Sequence, residues 1–451
     1  MSDRFHPISM EDLTSWIFGE LKAKGSIFGI PRELFFTPGA ADRFRTTAYG
    51  HPLETPFGPA AGPHTQMAQN IVVAWLCGAR FIELKTVQTL DRIDVNKPCI
   101  DMEDEGYNVE WSQELRIYES FDEYLRAWVL IHALHRRLGF PGEAPGMVFN
   151  MSVGYDLAGI LKPNVQWYLD TMRDASAYLG GYVDIVARHF PEMRAVAIPT
   201  DLSDNVTLST MHGCPPGEIE RIAAYLLAER GLHTAVKCNP TLLGAERVRG
   251  IVNGDLGYGD VVVPDAAFGH DLKWEDAAPM FRRLAETAAS RGRHFGLKLS
   301  NTLEVENWRT VFPDDPMMYL SGRPLHALTV NLALLLAEEF GSGLPLSFAG
   351  GADCFNAPQL LASGLRPLTV CSDLLKSGGY LRLLQYLEET AAALEAAGAA
   401  SLDDFACRVA GVEDAAGAGL ANLRGYAAAV CGERRYRKDA FETGHSKTPR
   451  P

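Results

Sequence analysis

Eight short runs of Val, Ile, Leu, Phe or Ala recur along the chain, alternating with segments whose apolar positions fall three and four residues apart. The runs predict strands near 55–61, 80–87, 146–153, 205–211, 233–239, 294–300, 344–350 and 367–372. The spaced segments predict helices near 66–78, 119–138, 164–188, 216–230, 275–291, 324–340 and 356–363. Strands that are apolar on both faces and alternate with helices belong to a parallel sheet covered by helices. Eight of them predict an α/β fold closed as a (β/α)8 TIM barrel.

The barrel is assigned to residues 55–390, with insertions after the second and third strands. Residues 1–54 read as an N-terminal extension of ordered loop. The Ala-rich stretch from 380, with 391–431 outside the barrel, reads as two or three packing helices, and 432–451 as a basic linker or tail. No internal repeat is visible.

Composition narrows the function classes. The 451 residues are 47% hydrophobic and carry a formal charge of -14 with a pI near 5.4, which disfavours nucleic acid or an anionic membrane as the main partner. No run reaches the roughly 18 apolar residues of a membrane span, and the first residues lack a signal peptide's apolar core. A cytoplasmic protein is expected. The eight cysteines never fall into C-x-x-C spacing, so neither an iron–sulfur cluster nor a zinc knuckle is expected here. Cys77, Cys99, Cys407 and Cys431 read as core filler.

The chemistry sits at the strand ends. Lys85 closes Phe81-Ile-Glu-Leu-Lys-Thr-Val87 and Lys237 lies in Thr234-Ala-Val-Lys-Cys-Asn-Pro240, both otherwise apolar. A lysine in such a place is paired or loses its proton, so an anionic partner is expected. In a barrel the carboxyl ends of the strands line the ligand site. That rule collects Ala60, Ala61, Gly62, Thr86, Asn150, Ser209, Thr210, Asn239, Ser300, Asn301, Thr302, Gly350, Gly351, Cys371 and Ser372.

The last two strand ends, with Ser321-Gly322 before a helix, offer glycines and hydroxyls for a phosphate. A tight turn and a helix cap would use the same residues. The lysines lie across the mouth, where a fixed ammonium would stabilise the negative charge of a reduced flavin ring. Snorkelling to solvent is the alternative for each. Cys214 precedes Pro215-Pro216 at a helix start, where the dipole would favour a thiolate able to carry a proton. His212 is its rival. His132 and His135 read as an exposed helix face, and Asp101, Glu103, Asp104 and Glu105 as a solvated loop, with Asn108 as a lid residue.

In order along the chain, Pro56-Phe-Gly-Pro-Ala-Ala-Gly-Pro-His-Thr65, Phe81 to Val87, Gly213-Cys-Pro-Pro216, Val236-Lys237, Ser300-Asn-Thr302, Ser321-Gly322, Ala349-Gly-Gly351 and Val370-Cys-Ser372 resemble the flavin barrel of dihydropyrimidine and dihydroorotate dehydrogenases. With Ser26-Ile-Phe-Gly-Ile-Pro31, Cys99-Ile-Asp101 and Leu208 to Pro216, nearly the whole chain resembles the N-terminal part of the family named for a selenate reductase subunit. The resemblance implies an oxidoreductase with FMN held through Ala60, Ala61, Lys85, Lys237, Gly322, Gly350, Gly351, Cys371 and Ser372. Cys214 would be the general acid/base, and Asn108, Asn301 and Thr302 would face a small-molecule substrate. It also implies electron input from an FAD and iron–sulfur region, on a partner subunit or a following segment. Met211 stands where the pyrimidine enzymes have Asn, which argues against orotate or uracil chemistry. Two other classes fit the bare residues: a Schiff-base aldolase or lyase using Lys237, and a non-catalytic scaffold subunit. Homo-oligomerisation is left open.

Overall fold

The computed structural model describes residues 5–92, 97–103, 105–109, 113–209 and 213–438. Every predicted strand forms: β1 Phe57–Pro59, β2 Phe81–Glu83, β3 Val148–Val153, β4 Asn205–Leu208, β5 His233–Cys238, β6 Phe295–Leu299, β7 Leu346–Phe348 and β8 Leu368–Val370. They pair in parallel in the order β1-β8-β7-β6-β5-β4-β3-β2. The ends meet where the Arg80 amide donates to the Phe57 carbonyl at 2.8 Å. Gly58 is required at this seam, because a Cβ there would overlap the Phe81 carbonyl oxygen.

The main helices are α1 Met10–Lys24, α2 Ala68–Leu76, α3 Ile117–Leu138, α4 Pro163–Arg173, α5 Ser176–Ala187, α6 Pro216–Ala228, α7 Trp274–Ser290, α8 Arg323–Phe340, α9 Ala357–Ala362, α10 Arg382–Ala396, α11 Leu402–Ala410 and α12 Ala415–Val430, with short helical turns at Leu157–Ile160, Ala245–Arg249 and Asp265–His270 in the connections. No helix is long and apolar enough to cross a membrane among the described residues. The predicted helix at 164–188 is two, because Asp174 turns extended and its carboxylate accepts the Ser176 amide at 3.0 Å. The N-terminal extension is more than loop. In α1, Ser9 caps the start, acids fill the first turn, lysines the last, and Gly25 ends it at φ 67°. A hairpin, Thr46–Ala48 with His51–Leu53, plugs the amino end of the barrel by packing Ala48 and Leu53 on Phe81 and Val148.

Two further expectations change. His132 and His135 are buried, hydrogen-bonded to the Trp128 and Pro141 carbonyls, because α3 packs against α2, α4 and α5. The acidic segment is sheet rather than solvated loop: Ile100–Met102 and Glu105–Asn108 join Leu303–Glu306 and Met317–Gly322 in an antiparallel sheet of order 303–306, 317–322, 105–108, 100–102. Asp101 pairs with Arg309, and Glu105 with Lys438 at 3.1 Å. Asp104 lies outside the described residues. This sheet grows from the insertions after β2 and β6, and through Met317–Gly322 it leads directly into α8. At the other end, 434–438 is packed structure rather than tail: Tyr436 is 1% exposed.

Candidate functional site

The anion that Lys85 and Lys237 call for is first of all internal. Glu83, the last residue of β2, is 1% exposed and forms an ion pair with Lys298 of β6, itself 3% exposed. The carboxylate also accepts the Ala61 amide at 3.0 Å and the Thr369 hydroxyl at 3.0 Å. Two charges this deep persist only because each is paired and further hydrogen-bonded. Glu83 and Lys298 were both missed as site residues. Their signal was present, since Lys298 is a third lysine inside an apolar run and Glu83 is the acid facing it.

Lys237 and Cys371 lie within electrostatic reach of both Glu83 and Lys85. Burial and the neighbouring Lys298 ammonium pull Lys237 down to about 7 against the attraction of Glu83, and burial pushes the Cys371 thiol up to about 12. Among the described residues Lys237 makes no hydrogen bond or close ion pair. Among the described residues, the Glu83 carboxylate thus sits in a cluster with Lys298 and Lys237, and Lys85 lies near Lys237.

Because the folded pKa of Lys237 lies below its unfolded value of 10.5, the unfolded chain binds more protons between these values. Stability then rises with pH above 7 and is lost as pH falls through 7. Between pH 7.5 and 8.5, above most of the range in which the buried histidines contribute and before the unfolded thiols titrate, the urea midpoint of the ligand-free chain should climb, and Lys237→Met should remove most of that slope. An equal slope in the variant would assign it to another group.

A second cluster forms across the mouth. The Ser372 hydroxyl donates to that of Ser321 at 3.1 Å, and Gly351 abuts the carbonyl of Gly322, the residue that caps α8 at φ 72°. The amides of Gly350, Gly351 and Ala352 donate to no group among the described residues. Unused backbone donors beside two hydroxyls and the amino end of an 18-residue helix make an anion cradle. Gly350 is fixed by sterics, since a Cβ would overlap the Thr329 hydroxyl. Gly350→Ala should lower stability by about 1–3 kcal/mol in urea unfolding; an unchanged midpoint would mean that Thr329 moves aside freely.

Asn108, on the strand Glu105–Asn108, is 1% exposed and leaves both its amide oxygen and its nitrogen unpartnered. Buried polar atoms of this kind point to a missing partner. His64, in the loop after β1, shows the same signature at both ring nitrogens, with the Ala60 and Val370 carbonyls nearby, and burial holds it down at about 4 and hence neutral. Nothing in its sequence context marked it.

Other predicted residues have duties of their own. Ala60 donates to the Val370 carbonyl at 2.9 Å, Gly62 and Thr65 make a tight turn, and the Thr86 and Ser152 hydroxyls share a hydrogen bond of 2.7 Å. Asn301 turns its side-chain oxygen onto the Thr302 amide at 3.1 Å. Asn150 is sequestered inside the barrel by Asn205 and Thr207.

Cys214 stands apart from the lysine cluster. It is half-buried, its charged neighbours are Glu218 and Asp156, and burial first and these acids second push its thiol up to about 11. The expected dipole-stabilised thiolate is thus replaced by a protonated thiol. The amide of Gly213 is anchored on Asp271 at 3.3 Å, and Asp271 is held by the Thr241 hydroxyl at 2.8 Å. Thr210, Met211 and His212 lie outside the described residues. Cys77 and Cys99 are buried as core filler should be, whereas Cys407 and Cys431 are half-buried.

Comparison with known proteins bears on the fold and the family. A ligand-free DHODH from Eimeria tenella superposes with a TM-score of 0.52 over 88% of this chain and 97% of that one, at 16% identity, a likeness of fold. Two Escherichia coli YgfK proteins are 45% identical over 408 residues, covering 86% of this chain and 39% of their own length. The model of the family described as "Oxidoreductase YgfK, N-terminal TIM-barrel domain" matches residues 28–419. The chain belongs to the family of N-terminal TIM-barrel domains of the oxidoreductase YgfK.

Proposed function

We propose that this barrel is an FMN-dependent oxidoreductase module acting on a small unsaturated substrate, with a nitrogen heterocycle as the favoured class. The carrying observation is the pairing, at one barrel mouth, of a cradle of amides unused among the described residues with a cluster of Lys85, Lys237 and Lys298 around Glu83. The cradle of Gly322, Gly350, Gly351 and Ser372 suits a phosphate monoester. Lys237 and Lys85 suit a ring that gains negative charge, and the unpartnered Asn108 amide suits an aromatic edge carrying both donors and acceptors. FMN bound there supplies hydride transfer at its N5.

The protein's own work is to hold and protonate. An anion bound beside Lys237 would raise its pKa from about 7 and so fix an ammonium where electrons accumulate. Asn108, Asn301 and Thr302 orient the substrate. Cys214, a thiol at neutral pH, delivers the proton that balances the hydride. We assign the electron input to an FAD and iron–sulfur partner or region; this chain spans 39% of the length of the curated relatives it matches.

The test is to purify the chain, add FMN, remove excess by gel filtration and record visible absorbance. Stoichiometric retention supports the reading, and a colourless protein sinks it. The low pKa of Lys237 favours one competitor, a Schiff-base lyase, because a neutral amine is the nucleophile such chemistry needs. Borohydride trapping of a carbonyl substrate on Lys237 in flavin-free protein would favour that competitor.

A further inference from the structure

The carbonyls of the two cradle glycines are pinned from behind. Nδ1 of His326 bonds the Gly350 carbonyl at 3.0 Å, and Nδ2 of Asn356 donates to that of Gly351 at 3.1 Å. In a planar trans peptide the N–H points opposite to the C=O. Holding those carbonyls outward therefore aims the next amides, those of Gly351 and Ala352, the other way, and these are two of the donors left unused.

His326 and Asn356 are in turn set by Tyr436, which lies beyond the last long helix. Its ring stacks on His326 with centroids 4.8 Å apart at 18°, its hydroxyl meets Asn356 Nδ2 at 3.3 Å and Tyr426 at 3.1 Å, and Tyr426 meets His326 Nε2 at 2.6 Å. Burial holds His326 down at about 3, so its ring is neutral. With Nδ1–H donating to Gly350, Nε2 must accept from Tyr426, whose oxygen accepts from Tyr436, whose oxygen accepts from Asn356. The chain of donations runs one way and closes on the two glycines. Arg323, the first residue of α8, fastens the same segment by donating to the Arg435 and Arg437 carbonyls at 3.0 and 2.7 Å. A core that needed only packing would not carry four buried polar groups in one satisfied circuit.

We propose that Tyr436 is a positioning residue for the anion cradle, acting through His326 and Asn356 to aim the Gly351 and Ala352 amides at the phosphate of the bound ligand; this rests on the flavin reading above for the ligand's identity. The test compares FMN with riboflavin, which lacks the phosphate, by fluorescence titration of the full chain. Tyr436→Phe keeps the stacked ring and loses the hydroxyl. It should weaken FMN binding about tenfold while leaving riboflavin binding unchanged. A merely structural role would weaken both equally. Tyr426→Phe, which cuts the same circuit elsewhere, should reproduce the loss of preference and serves if the first variant fails to fold. An unchanged FMN-over-riboflavin ratio in these variants overturns the proposal. If the wild type takes up neither flavin, the flavin reading falls, and inorganic phosphate becomes the probe in glycine-labelled protein. A Gly351 amide shift that weakens in the variant then sustains the proposal, and no shift in the wild type, or one the variant retains, overturns it.

Discussion

Glu83→Ala should unfold at a far lower urea concentration than the parent chain, a loss of about 3–5 kcal/mol. The mechanism is not the lost attraction alone. Lys298 would be left as an ammonium 3% exposed between strands, with Lys237 beside it, while the Ala61 amide and the Thr369 hydroxyl lose their acceptor. Leaving a buried charge uncompensated costs more than the pair ever contributed. The double variant Glu83→Leu with Lys298→Met should therefore recover much of the loss, because it removes both charges. A single variant within about 1 kcal/mol of the parent would show that water reaches Lys298 and that the pair is not buried in solution.

Cys214→Ala should reduce turnover by about 10²–10⁴-fold while FMN uptake stays intact. The measurement is reoxidation of the reduced, FMN-loaded chain by unsaturated nitrogen heterocycles, followed in visible absorbance. Ferricyanide is the control, because a one-electron acceptor needs no proton donor and its rate should not change. With the thiol at about 11, its own ionisation should lower the heterocycle rate only well above neutral pH. Cys214→Ser should keep part of the rate. An alanine variant as fast as the parent with every heterocycle that reoxidises the parent would remove Cys214 from the chemistry.

The eight barrel strands were legible because each is a short apolar run flanked by helical spacing, and the residues gathered into the candidate site were those that end a predicted strand. Reading only strand ends also explains the omissions. Glu83 was passed over because the predicted run 80–87 set the strand's end at Lys85 and beyond whereas β2 ends at Glu83, and Lys298 because it lies inside β6, although the two face each other across the barrel. The antiparallel sheet was invisible because residues 105–108 pair with 319–322, more than 200 positions away, and local periodicity carries no such information. His132 and His135 misled through their neighbours Arg136 and Arg137, which mark solvent at the end of α3 while the helix body is enclosed. Cys214 misled because burial and two acids outweigh a helix dipole, and neither is visible in Gly213-Cys-Pro-Pro216.

The lysine cluster has a kinetic consequence. It is a small positive well set in a molecule of net charge -14. An anionic ligand approaching from afar is repelled by the whole surface and attracted only within the last Debye length, about 8 Å at physiological salt. Moderate salt weakens the outer repulsion before it reaches the enclosed well. Capture should therefore accelerate as salt first rises, the reverse of what a basic binding face gives, and the acidic exterior becomes a filter that holds weakly bound anions away from the mouth.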